Sequence, residues 1–225
     1  MLTGSDQKHS FFSLVTESAT MDQLILPAKD AWKNTLVLSG NRQLGLIEPQ
    51  MMTKLSREYL LRKALDSLLP HFDLVLIDLP PTINTLTVNA LVCADGYLVP
   101  TDLSEFSRRG IDMVTSLAKQ IVNGGLNSRL NFLGIFITGF QKGGSHAVRS
   151  MVAQMEKAYP GKLLEEKVPH SVKVTESNQK GVPVGSFETD DHAVNLAFRT
   201  LCLRILNHSQ PSMQIPSQNH NEATL

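Results

Sequence analysis

The sequence predicts an α/β domain with a largely parallel sheet flanked by helices. Short apolar runs alternate with amphipathic helical stretches along most of the 225 residues. The clearest run, Leu74-Val75-Leu76-Ile77, is unbroken rather than alternating, as expected of a strand covered on both faces. Hydrophobic residues make up 42% and charged residues 19%, a globular balance with no apolar stretch near the ~20 residues of a bilayer span.

The elements follow in order. Residues 1 to 33 show no sustained period, and Thr35-Leu36-Val37-Leu38 reads as a short buried strand running into the turn Ser39-Gly40-Asn41. From Ser56, Leu60, Leu61, Ala64, Leu65, Leu68 and Leu69 recur at helical spacing, and Pro70 closes the helix ahead of the Leu74–Ile77 strand. Next come a helix over Thr87–Ala94, a strand Tyr97–Val99, a helix over Ser107–Val122, a strand Phe132–Thr138 and a helix over His146–Ala158. A strand-like Leu163–Val168 leads into a polar loop reaching Val182, and a last helix carries Ala193, Val194, Leu196, Ala197, Leu201, Leu203 and Leu206. Residues 207–225 have no Lys or Arg, one Glu and two Pro, which predicts a disordered tail behind one folded unit over 1–206.

Lys plus Arg and Asp plus Glu both number 21, so no global charge draws the chain to nucleic acid or an anionic membrane. The first residues lack a secretory layout, and Cys93 and Cys202 fall in apolar helical stretches, so two buried thiols in a reducing cytoplasm are expected. His146, His192, His208 and His220 show no metal-ligand spacing. Met151 and Met155 read as core fillers, and Asp73, Asp95, Glu105 and Asp112 as turn, cap or solvated residues.

In open parallel sheets, ligands gather at the carboxyl ends of strands, where loops and helix amino termini converge. Two such ends carry Asp78-Leu79-Pro80-Pro81 and Pro100-Thr101-Asp102. An apolar strand ending in Asp, here Asp78, is a layout by which nucleotide hydrolases hold Mg²⁺ beside phosphates. By itself a strand-end Asp is more often a turn former or helix cap. Pro80 and Pro81 fix two φ angles and turn the chain off the strand, and Thr82 or Asn84 is placed to cap the next helix.

The stretch Phe72 to Thr82, then Leu86 to Asp95 and Leu98-Val99-Pro100, resembles the ParA/Soj branch of the ParA/MinD family of deviant-Walker partition ATPases. In that family these are the Walker B strand, its double-proline turn, and the helix and strand behind it. A second block, Val168-Pro169-His170-Ser171-Val172-Lys173-Val174-Thr175-Glu176-Ser177 with Gly181-Val182-Pro183-Val184, resembles the family's Ile-Pro-Arg-Asn-Val-Arg-Leu-Ser-Glu-Ala loop and its Gly-Lys-Pro-Val continuation. The likeness runs from about Met21 to Leu206.

The resemblance implies a P-loop NTPase-like fold and a role in plasmid or chromosome partition through ATP-dependent DNA binding and ATP hydrolysis with Mg²⁺. It casts Asp78 as the Walker B carboxylate near the metal and Pro80 and Pro81 as a switch-like turn. Val168 and Pro169 would flank the adenine, and Lys173 and Lys180 would meet DNA. Its partners would be non-specific DNA, a centromere-binding ParB-like protein, and a second copy or partner ATPase chain, with no membrane. Its site would be the cytoplasm, associated with the nucleoid.

The family's deviant Walker A loop, Lys-Gly-Gly-x-x-Lys-Thr, does not occur in the 225 residues, nor does the second strand with its Asp-rich end. The nearest string, Lys142-Gly143-Gly144-Ser145-His146-Ala147-Val148, has Ala147 where the phosphate lysine belongs and reads as a plain turn. The expectation is therefore a chain that lacks the family's first strand-loop-helix and is not hydrolytic alone. The alternative is a non-catalytic regulator that binds a full-length partition ATPase. Without that first strand, an interior strand at Leu74–Ile77 would lack a neighbour on one edge. Residues 141–180 carry seven Lys or Arg and four Glu, which fits either a modest phosphate-binding patch or a solvated face.

Overall fold

The computed structural model describes residues 13, 21–28, 31–38, 40, 47–80, 82–140, 146–186 and 192–209. Among these residues lie five strands and eight α-helices. A short helix α1 (Met21–Leu24) leads into β1 (Ile25–Pro27), which pairs antiparallel with β2 (Leu36–Leu38), Ile25 opposite Leu38. Helices α2 (Ile47–Met52), α3 (Leu60–Leu65) and α4 (Thr85–Cys93) follow, then β3 (Gly96–Thr101) and α5 (Glu105–Asn123). The chain continues through β4 (Asn131–Phe140), α6 (His146–Ala158), β5 (Leu163–Pro169), α7 (Val172–Lys180) and α8 (His192–Ser209).

The main sheet is parallel in the order β3-β4-β5. Its register shifts between Tyr97 and Leu98, so that Tyr97 faces Phe132 and Leu98 faces Gly134. Gly134 has φ +140°, and a Cβ there would stand 2.6 Å from the Leu164 side chain and 2.8 Å from the Lys162 carbonyl. Only glycine lets β4 pass β5 at that point. Across β3 and β4 the Tyr97 and Phe132 rings stack with centroids 4.8 Å apart, and burial pushes the Tyr97 hydroxyl up to about 12.

Three clusters make the core. Leu91 and Val92 of α4 meet Ala118 and Ile121 of α5 and Leu130, while Ile135 and Ile137 of β4 meet Leu103, Ile111 and Met155. Ile47 and Met51 form a third cluster with Leu60, Leu61, Ala64 and Leu86. Helix α5 buries Ile111, Thr115, Ala118 and Ile121, a 3–4 spacing that keeps one stripe on the sheet. Buried Asn89 stitches α4 to the preceding segment: its carbonyl oxygen accepts the Leu61 amide, and its amide donates to the carbonyls of Arg57 and Thr85.

Several expectations need correction. The anticipated strand Leu74–Ile77 has no ladder and no regular structure, and all four side chains are exposed, Leu76 at 74%. Its apolar pattern is that of an interior strand, but among the described residues no strand lies alongside it to take its backbone groups. The strand expected at Leu163–Val168 is β5, but the polar loop expected after it is mostly helix α7, because Ser171 caps the helix by accepting the Lys173 amide and Gly181 ends it at φ 66°. The helix from Ser56 is shorter than its periodicity suggests: a 3₁₀ turn at Arg57–Tyr59, α3, and another 3₁₀ turn at Leu69–His71 that contains Pro70. Cys202 is exposed rather than buried, and Cys93 is half-buried, its thiol pushed up mainly by desolvation. Strand β1 lies in a stretch whose sequence shows no period. Helix α8 runs to Ser209, three residues into the expected tail, whose remainder lies outside the described residues.

Candidate functional site

The carboxyl ends of β3, β4 and β5 are held level by two contacts. Thr138 Oγ1 donates to the Thr101 carbonyl at 3.3 Å, and the His170 amide donates to the Phe140 carbonyl at 2.9 Å. Beyond β3 the chain turns sharply through Leu103, a non-glycine residue at φ 65° that is nonetheless 8% exposed and packed against Ile111 and Ile135. Core burial of this side chain holds the left-handed backbone in place.

That turn is built on Asp102. One carboxylate oxygen accepts the Ser107 hydroxyl at 2.5 Å and the Ser104 amide at 2.9 Å, and the Ser104 hydroxyl accepts the Ser107 amide to cap α5. Hydrogen bonds from Ser107 and Ser104 hold Asp102 down at about 2. The result is a carboxylate that stays charged near neutral pH at the head of a 19-residue helix. One turn on, Arg108 pairs with Glu105 at 2.7 Å and Asp112 at 3.5 Å, and Tyr159 donates to Asp112, its own hydroxyl pushed up mainly by burial.

The residues singled out from sequence are distributed as follows. Asp78 is exposed at the end of the irregular Leu74–Ile77 segment, and Pro80 follows it, its carbonyl accepting the Thr82 amide at 2.7 Å. Pro81 lies outside the described residues. Asn84 caps α4 by accepting the Thr87 amide at 3.0 Å. Val168 is buried in β5 opposite Thr138, and Pro169 is half-buried opposite Phe140. Lys173 sits in the first turn of α7, 3.2 Å from Glu176, and Lys180 is the helix's last residue. Residues 142–145 of the glycine-rich string lie outside the described residues. Lys162 and Lys167 lie over the Phe132 and Phe140 rings at 5.4 and 5.1 Å, which turns part of the basic 141–180 stretch toward aromatic faces.

The candidate region is therefore the rim at the carboxyl ends of β3–β5, made of the Asp102 turn and the β5–α7 junction, while Asp78 ends an irregular segment rather than a strand. It offers carboxylates as hard oxygen ligands and lysines for phosphates. The described residues hold no glycine loop at the amino end of a helix to receive a polyphosphate. The Asp102 network escapes sequence reasoning beyond its placement at a strand end, although Asp-x-Ser-x-x-Ser is a legible capping pattern. No helix among the described residues is long and apolar enough to cross a membrane.

A family model described as an AAA domain matches residues 2–132. Chromosome partitioning protein ParA of Caulobacter vibrioides is 32% identical over 151 residues, 66% of this chain and 55% of that protein. Chromosome-partitioning ATPase Soj of Treponema pallidum is 29% identical over 155 residues, 69% of this chain and 60% of that protein. The first curated relatives, from Mycobacterium tuberculosis, are 28% identical, and the chain spans only 59% of their length. Among solved structures, the ATP complex of a Cyanothece McdA variant superposes with a TM-score of 0.78 at 14% identity, over 90% of this chain and 77% of that one. Cobyrinic acid a,c-diamide synthase of Mycobacterium smegmatis, with bound ADP and magnesium, gives 0.73 at 21% identity, over 89% of this chain and 72% of that one.

Proposed function

From the premise that this chain belongs to the ParA/Soj-type family of partition ATPases, with their P-loop NTPase-like fold, we propose that it acts in plasmid or chromosome segregation as a DNA-binding component whose nucleotide site needs a phosphate-loop segment not found in these 225 residues. The observation that supports this reading is the exposed apolar segment Leu74–Ile77 ending in Asp78. It has the composition of an interior strand and, among the described residues, no strand beside it.

The fit to Mg-ATP is partial. Asp78 is the right kind of ligand for a hard divalent cation. The phosphate cradle is another matter: the sequence has no Lys-Gly-Gly-x-x-Lys-Thr, so neither the backbone amides nor the lysines that phosphoryl transfer relies on are supplied. No hydrolytic step is assigned to this chain alone. Its own residues would contribute a carboxylate at Asp78 for the metal, the Val168–Pro169 edge beside the base, and phosphate contacts to DNA at Lys173 and Lys180.

The experiment is a nucleotide-binding titration with a fluorescent ATP analogue, on the chain alone and co-expressed with a segment carrying the family's phosphate-loop strand and helix. Binding only in the co-expressed form, lost in Asp78→Ala, is expected. Magnesium-dependent turnover by the chain alone would overturn the reading. A soluble, DNA-binding chain that the added segment fails to change would favour the second reading, a non-catalytic regulator.

A further inference from the structure

We infer that the turn joining β1 to β2 belongs to the same DNA surface as α7, with Lys33 as a further phosphate contact beside Lys180. The contact rests on the DNA-binding reading of α7 and adds to it an element from the other end of the chain, outside both motif blocks. The turn has a defined shape. The Thr35 amide donates to the Trp32 carbonyl at 3.3 Å, and Asn34, at φ 57°, takes the left-handed position that such a turn needs at its third residue. Lys33 therefore occupies the corner, where it is exposed. Among the described residues no carboxylate pairs with it.

The turn is also anchored to α7. The indole N–H of Trp32 donates to the Gly181 carbonyl at 2.9 Å, and Gly181 directly follows Lys180, the last residue of the helix. Bond lengths along that path keep the Cα atoms of Lys33 and Lys180 within about 20 Å of each other. A duplex presents one phosphate charge per ~1.7 Å of its axis, so roughly a dozen phosphates span that distance. Lysines from two elements thus come within reach of one stretch of backbone.

A helix C-terminus is by itself a poor place for a phosphate, because its outward carbonyls carry partial negative charge. Here much of that charge is covered. The Ser177 carbonyl accepts the Gly181 and Val182 amides, the Val182 carbonyl accepts the Ser177 hydroxyl at 2.6 Å, and the Gly181 carbonyl accepts Trp32. The same indole bond therefore brings Lys33 to α7 and removes an acceptor that would repel DNA. A lysine on a turn meets backbone phosphates rather than base edges, so the contact carries no sequence information.

Fluorescence anisotropy of the full chain with a labelled duplex of scrambled sequence, over a series of salt concentrations, tests it. Lys33→Ala should lower the slope of log K against log salt by about 0.9 with an unchanged melting temperature, and Lys33→Arg should restore it. Lys119→Ala, which removes an exposed lysine from α5, should leave the slope alone. A slope lowered by Lys173→Ala/Lys180→Ala and untouched by Lys33→Ala would overturn the turn contact and leave the α7 reading standing. Equal losses from Lys33→Ala and Lys119→Ala would overturn it as a mere effect of net charge. A parent chain with no salt-dependent DNA binding would overturn both readings.

Discussion

The guanidinium of Arg204 clasps a single carboxylate oxygen of Glu166, with Nη2 at 2.9 Å and Nε at 3.1 Å, and so fixes α8 to the edge strand β5. The other oxygen of Glu166 is buried and has no hydrogen-bond partner among the described residues. The pair therefore stands on Arg204. Arg204→Ala should destabilise the fold by about 1–3 kcal/mol, since it strands a carboxylate that is 9% exposed. Replacing both residues by Met should recover much of that loss. Thermal melts of the single and double variants check this, and a single variant as stable as the parent would show that the clasp holds nothing.

Asn89 is 1% exposed and spends its side chain on three backbone groups. Asn89→Leu should cost about 2–4 kcal/mol in urea unfolding, because the Leu61 amide and Arg57 carbonyl are left without that partner. Asn89→Asp should fare no better, as it keeps the acceptor for Leu61 but turns a carboxylate toward two carbonyl oxygens.

Asp102 is held at about 2 against an ordinary 3.8 by the Ser107 and Ser104 hydroxyls and the Ser104 amide. A carboxyl whose folded value lies below its unfolded one contributes stability in full above pH 3.8 and loses it as pH falls toward 2. The gap in melting temperature between the parent and Asp102→Asn should be constant near neutrality and close over that acid window. The gap should also be small, because Asp102 is exposed.

Leu76→Lys should lower binding of a hydrophobic dye and raise solubility without lowering the melting temperature, since Leu76 is 74% exposed and lies outside the core clusters. A loss of cooperative unfolding in this variant would mean that the segment is packed after all.

Lys173→Ala/Lys180→Ala should flatten the salt dependence of DNA binding, with the slope of log K against log salt falling by roughly one for each phosphate no longer neutralised, whatever the DNA sequence. An unchanged slope, read by fluorescence anisotropy, would remove both lysines from the DNA surface.

The alternation from α4 to β5 is legible in the sequence because its elements carry their own signals: the Asn84 cap of α4, the Ile111–Ile121 stripe of α5, and the apolar run of β4. Leu74–Ile77 misleads because apolar composition reports what a strand needs and not whether a neighbour is present to supply it. Helix α7 escapes notice because Val172–Lys180 has no apolar period, and its start and stop rest on Ser171 and Gly181 alone. At the site, pattern places both Asp78 and Asp102 at strand ends. The hydroxyl network that keeps Asp102 ionised depends on a left-handed residue at Leu103, which no periodicity announces.

The indole N–H of Trp32 donates to the Gly181 carbonyl at 2.9 Å, across 149 residues of sequence. It is the chain's single tryptophan, so its emission reports one event only, the arrival of the β1–β2 hairpin segment at the end of α7. A closure spanning so much chain is expected to come late in folding, after the local helices and the parallel ladder have formed. The protein thus carries its own clock for that step, and stopped-flow refolding followed by this emission should lag the far-ultraviolet signal of the helices.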